Sequence, residues 1–114
     1  MLNPIVDTRD VKFVLFELLE ADKLTKFECY QDFDHDTFEA TIDLAEQISV
    51  DVIYPTAEDG DKNPAKWDPQ TKAVTLPPSF KGALDAYFEA GFGSAYDNPH
   101  IGGMGMPFAG AMGS

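Results

Sequence analysis

DTFEATIDLAEQISVDVIY, residues 36–54, is the longest run in this chain that reads as one helix. Phe38, Ile42, Ala45, Ile48, Val52 and Ile53 recur at helical spacing on one face, with Glu39, Asp43 and Glu46 opposite. Asp36 followed three residues later by Glu39 has the pattern of an N-cap with a capping box. Toward the end the polar face gives way, and Val50, Val52, Ile53 and Tyr54 cover most directions. A helix apolar all round is normally buried all round. Pro55 lacks an N–H and crowds the preceding turn, so it is expected to end or kink this helix.

Two further helices are expected around this post. Thr8 can cap a helix from about Arg9 to Ala21, with a main stripe of Val11, Val14, Leu15, Leu18 and Leu19 and a second apolar side at Phe13 and Phe16. Residues 23–34 form a polar link studded with Phe27, Tyr30 and Phe33. Residues 57–72, AEDGDKNPAKWDPQTK, read as a long loop with Trp67 tucked against the core, and residues 73–76 as a short extended piece. Pro77-Pro78-Ser79 opens the third helix. Its stripe is Phe80, Leu84, Tyr87 and Phe88, and Gly91 follows as a C′ residue. No periodicity remains beyond Phe92, but GGMGMPFAGAMGS (102–114) is too apolar to be expected free in water. The fold class is therefore all-α, a small antiparallel bundle of about three helices with long loops. The 114 residues suit one domain.

Composition narrows the partners. The chain is 44% hydrophobic and carries a net charge of −12. Such a surface repels phosphate, which argues against nucleic acid and anionic membranes as partners. No apolar run reaches the length of a membrane span. MLNPIVDTRD lacks a basic region followed by an apolar core, so no secretory signal is expected and the cytoplasm is the default. Cys29 is the only cysteine and sits among Glu28, Asp32 and Asp34, which favours an idle thiol in a reducing compartment.

No catalytic constellation emerges from spacing. Asp32, Asp34 and Asp36 imitate the start of an EF-hand loop, but its sixth and twelfth positions would hold Thr37 and Asp43 instead of Gly and Glu. The run from Asp59 fails likewise, at Pro64 and Gln70. His35 and His100 have no second His or Cys at ligand spacing. Gly103-Met104-Gly105 resembles the start of a dinucleotide fingerprint, yet Phe108 stands at its third glycine and no strand precedes it. A tight turn with close backbone approach is the expected use of these glycines. No residue is singled out as catalytic, cofactor-binding or metal-ligating.

The order of features is nevertheless recognisable. Asp97-Asn98-Pro99-His100-Ile101-Gly102-Gly103-Met104-Gly105-Met106-Pro107 resembles the D-P-E-Y-G-G-Q-G-L-P turn of acyl-CoA dehydrogenases, with Pro99, Gly102, Gly103, Gly105 and Pro107 aligning without gaps. Residues 74–80, VTLPPSF, with Ala83, Tyr87 and Glu89-Ala90-Gly91, are similar to that family's V-x-T-P-P-G-F…A…Y-x-E-A-G segment. Asn3-Pro4, residues 7–15 and Tyr30…Asp32-Phe33-Asp34 resemble the N-terminal extension of one branch of the family. His100 and Ile101 depart from the usual acidic residue and Tyr.

The resemblance implies an N-terminal helical domain of a larger flavoprotein. Residues 1–34 would be the extension helix and link, and residues 35–114 part of the N-terminal helical domain in one compact unit. The full enzyme would bind FAD between a middle β-domain and a C-terminal helical domain. A glutamate of the latter would take the α-proton of an acyl-CoA thioester, flavin N5 would take the β-hydride, and electrons would pass to an electron-transfer flavoprotein. For this chain alone the resemblance implies a scaffold and pocket wall, inactive and without FAD. Its partners would be the remaining dehydrogenase domains or a partner subunit, in an oligomer. Two other readings stand beside it: a non-catalytic helical module that docks on a dehydrogenase-like subunit, and an unrelated acidic helical domain.

Overall fold

The computed structural model describes residues 3–114. Three helical bodies carry the fold, as the apolar periodicities indicate, joined by short 3₁₀ turns. The first body is α1 (Thr8–Lys12) running directly into a π-helical segment, Phe13–Leu18. The second is α2 (His35–Ile48), continued by a π segment (Ser49–Ile53), a 3₁₀ turn (Tyr54–Thr56) and α3 (Ala57–Lys62). The third is α4 (Phe80–Glu89). Between the second and third lies an antiparallel hairpin of β1 (Lys66–Trp67) and β2 (Val74–Thr75), paired Lys66 to Thr75 and Trp67 to Val74. A short α5 (Phe108–Gly113) ends the chain.

Both N-caps sit earlier than the sequence patterns suggest. Asp34 caps α2: its backbone is extended, and its carboxylate accepts from the Thr37 N–H and Thr37 Oγ1. Those bonds hold the Asp34 carboxyl below the usual carboxylate range. Asp36 lies inside the first turn, and Glu39 meets Lys12 in place of closing a capping box. Asp7, not Thr8, caps α1, its carboxylate accepting from Arg9 N–H. In each case the aspartate nearer the start has the extended backbone that a capping residue needs.

Pro55 does not end the central body. It stands in the first turn of the 3₁₀ segment, where a missing N–H costs least, and the chain stays helical to Lys62. The preceding π turn widens the ladder ahead of it. Residues 57–62, expected as loop, are therefore helix.

The π turn in the first body shifts its side-chain phase. Leu19 N–H reaches Val14 C=O, an i to i+5 bond. Val11 and Leu15 face the core as expected, and Phe16 joins them, while Leu18 and Leu19 turn out to water. Leu15, Ala21, Phe38 and Ile42 form the core, with Val11, Phe16, Phe33 and Ala109 packed against it. Phe38 is 1% exposed and meets the rings of Phe16 and Phe33 edge-on and tilted. Lys12 ties the first body to the second through Asp43 (2.6 Å) and Glu39 (3.3 Å). Its pKa is raised chiefly by the Asp43 hydrogen bond.

The core is confined to one part of the molecule. The overall extents are 55 × 38 × 18 Å, so the protein is a slab little thicker than one helix with its side chains. Of the apolar residues in the last turns of the central body, Val50 and Val52 are half-buried, and Ile53 and Tyr54 are exposed. The stripe expected on the third helix is largely uncovered as well: Leu84, Tyr87 and Phe88 are exposed, and only Ala83 is buried. Trp67, expected against the core, is 63% exposed on the hairpin.

Candidate functional site

Two features collect the residues to which the sequence draws attention. The first is the glycine turn. Asn98 Oδ1 accepts from His100 N–H and opens a 3₁₀ turn, Pro99–Ile101. Gly102 (φ 95°) reverses the chain, and Gly103 N–H returns to Asn98 C=O at 3.1 Å. The strand-like run that follows doubles back on residues 94–97. Met104 N–H bonds Ser94 C=O, Gly105 N–H bonds Asp97 C=O, and Met106 N–H bonds Ala95 C=O, at 3.1, 2.9 and 2.9 Å. At Gly103 a Cβ would overlap the Asp97 carbonyl, so the backbones approach as only glycine allows. Gly105 (φ 67°) packs against the Pro99 ring.

The turn delivers Met106 and Pro107, both buried, and then α5. Gly110 of α5 lies against Phe38, and Gly113 against Leu15. Pro99, Gly102, Gly103, Gly105 and Pro107 all lie within this knot of backbone. The tail beyond it, which lacks periodicity, closes the core through glycine contacts that no apolar pattern reports.

The second feature is an apolar groove of about 360 Å³ between the end of the central body and α4. Ile53, Thr56, Phe80, Ala83, Leu84 and Tyr87 line it. Thr56 Oγ1 is already spent on Ile53 C=O at 2.7 Å, so the wall is almost wholly carbon. Its edges are fixed by a tie that no local pattern signals. The Asp59 carboxylate accepts from Ser79 N–H (3.2 Å), Ser79 Oγ (2.5 Å) and Asn63 Nδ2 (2.8 Å), joining α3 to the start of α4 across the hairpin. These bonds, led by that of the Ser79 hydroxyl, hold the Asp59 carboxyl low. Gly60 lies under the Phe80 ring.

Chemically the groove can hold apolar matter and little else. No carboxylate, imidazole, thiol or amine lines it. A flavin dinucleotide needs several donors for its pyrophosphate and polar partners for its ring, and beyond the Tyr87 hydroxyl this wall offers none. The residues here do not fit that cofactor. Elsewhere, His35 stacks on Phe16 (4.0 Å between ring centres), with Nδ1 3.7 Å from Asp22 and Nε2 3.9 Å from Glu39. His100 is exposed on the turn. Among the described residues no group of three His, Cys, Asp or Glu side chains could hold a metal ion, and no helix is long and apolar enough to cross a membrane.

No family model matches the chain. Its curated relatives do. Over 106 residues, 90% of this chain, it is 39% identical to the broad-specificity linear acyl-CoA dehydrogenase FadE5 of Mycobacterium tuberculosis, of which the match covers 17%. The chain is homologous to a segment of the acyl-CoA dehydrogenases. A butyryl-CoA dehydrogenase of Syntrophomonas wolfei is 32% identical over 103 residues, covering 89% of this chain and 17% of the relative. A second one is 31% identical over 98 residues. The chain spans about one sixth of the length of the curated relatives it matches. The chain is mostly helical, in line with the expected fold class.

Proposed function

We propose that this chain is the N-terminal portion of an FAD-dependent acyl-CoA dehydrogenase, serving the α,β-dehydrogenation of an acyl-CoA thioester as scaffold and pocket wall. In this reading residues 1–34 are an extension that braces the domain and residues 35–114 are part of the helical domain proper. The observation that carries it is the 39% identity sustained over 106 residues of one such enzyme. The groove, lined by no carboxylate, imidazole or amine, supports assigning the base and the flavin contacts to the remaining polypeptide. FAD, bound there, supplies the hydride acceptor. The acyl-CoA substrate and an electron-transfer flavoprotein are partners of the whole enzyme. What this chain contributes is shape: the knot at Pro99–Pro107 sets the end of the domain, and the Asp59–Ser79 tie fixes the angle between its helices.

A chimera tests the reading. The matching segment of the Mycobacterium tuberculosis relative is replaced by this chain, and the product is assayed for bound flavin and for acyl-CoA oxidation. The expected chimera keeps FAD and turns over, with changes confined to KM and chain-length preference. A folded, flavin-loaded chimera that loses kcat for every chain length would place the chemistry in these residues and overturn the assignment.

A further inference from the structure

Residues 3–22 and α2 run side by side in opposite directions, and polar rungs join them in order. Asn3 Nδ2 donates to Glu46 Oε1 at 2.8 Å. Lys12 Nζ reaches Asp43 at 2.6 Å and Glu39 at 3.3 Å. Asp22 stands 3.7 Å from His35 Nδ1. Residue numbers rise along one partner as they fall along the other. On α2 the four positions, 35, 39, 43 and 46, are spaced by three or four, so they make one stripe of its surface. The periodicity sets Glu39, Asp43 and Glu46 opposite the apolar face. In the folded chain each of the three is met by Asn3 or Lys12.

The first rung is built, since Asn3 is itself held. Its Oδ1 accepts from Ile5 and Val6 N–H, and its Nδ2 also reaches Thr8 Oγ1 at 3.3 Å. Apolar packing supplies adhesion beside the rungs, as Val11, Leu15 and Phe16 lie against Phe38 and Ile42. Such burial is non-directional, so the polar rungs are what fix where along α2 this segment stops.

They do so against net charge. Residues 3–22 hold five carboxylates and two cations, and α2 holds four carboxylates with no Lys or Arg. Among the described residues Lys12 is the only Lys or Arg that reaches a carboxylate of α2. Two acidic segments are thus latched through one ammonium. Salt acts unequally on this arrangement. Repulsion between exposed charges further apart than about 10 Å is largely screened at about 0.1 M salt, whereas a close, partly buried pair is screened much less. The Lys12 side chain is 27% exposed and its contact with Asp43 is 2.6 Å. We infer that residues 3–22 are a strap on α2, latched by Lys12, which closes more firmly as ionic strength rises. The inference goes beyond the dehydrogenase reading and does not need it, because every contact lies within this chain.

Amide exchange resolved by residue tests it, since a strap opens locally while the rest of the domain stays closed. Raising sodium chloride from about 0.02 M to about 0.5 M at pH 8 is expected to increase protection at residues 15–19 and to leave residues 84–89 of α4 unchanged. Lys12→Met should lower protection at 15–19 by about two- to fivefold in low salt, and should enlarge the gain on adding salt. Adding Asp43→Asn to Lys12→Met removes one of the carboxylates left facing the strap and should restore part of the protection. Should Lys12→Met fail to fold, Asn3→Ala, which breaks only the first rung, must still lower protection at 15–19 ahead of α4. Protection at 15–19 that falls with salt, or ignores it, overturns the inference. So does a change of the same size in α4, which would make the response one of global stability.

Discussion

The edge of the Phe38 ring lies against the α-carbon of Gly110, where a Cβ would overlap Cε1. This contact lets α5 close the core over the most buried aromatic of the central body. Gly110→Ala is therefore expected to cost about 1–3 kcal/mol through overpacking, and Phe38→Ala about 3–5 kcal/mol through the cavity it leaves. Combining Phe38→Ala with Gly110→Ala should cost less than the sum of the two single changes, since the shortened side chain frees room for the new methyl, the parent being the fourth member of the cycle. Urea unfolding of the four variants measures that coupling.

Glycines of the knot and of the helix should respond with opposite sign. Gly103→Ala forces its new methyl into the Asp97 carbonyl and should separate residues 94–98 from 102–106. Amide exchange at Met104, Gly105 and Met106 is expected to lose its protection. Gly82, in α4, has open space around it. Gly82→Ala should stabilise the protein by about 0.5–1 kcal/mol through helix propensity alone.

The Asp59–Ser79 tie carries a pH signature. The carboxyl is held below its ordinary value, chiefly by the Ser79 hydroxyl. A group depressed in the folded state contributes stability above its unfolded pKa and loses it as pH falls through the folded value. Ser79→Ala should thus be less stable than the parent at neutral pH, and the gap should close in acid below about pH 4. Urea midpoints at pH 7, 5 and 3 follow this. A gap as wide at pH 3 as at pH 7 would assign the effect of Ser79 to packing.

Pro55 offers a test of helix continuity. Since the chain is helical on both sides of it, Pro55→Ala should leave the circular dichroism at 222 nm unchanged or stronger. The substitution restores an N–H donor and removes ring crowding without altering the course of the body. A fall in helicity would mean that Pro55 itself starts the 3₁₀ turn and that the body needs it.

Much of the fold was legible because period and punctuation survive at short range. The core face of α2 at Phe38 and Ile42, the opening of α4 after Pro77-Pro78, Gly91 as its C′ residue (φ 84°) and the glycine turn all follow from local chemistry. What could not be read was non-local or depended on phase. The π turns at 13–18 and 49–53 change the rotation per residue, so a stripe computed at helical spacing places Leu18 and Leu19 inward when they face out. Asp59 and Ser79 stand 20 residues apart, with no pattern to connect them. Apolar character alone points Trp67 to the core, but the two-residue strands that carry it leave both Trp67 and Val74 exposed. Of the motif residues, Gly103 declared its role best, since close approach is what a glycine pair most often signals.

A slab only 18 Å thick reverses the usual map of constraint on a sequence. In a thick domain the interior resists change and the surface drifts. Here few side chains are fully enclosed, and the broad apolar faces at Ile53, Leu84, Tyr87 and Phe88 lie open. Selection on such a chain would act on its outside: a change at Leu84 would leave the fold standing and cost the protein its company.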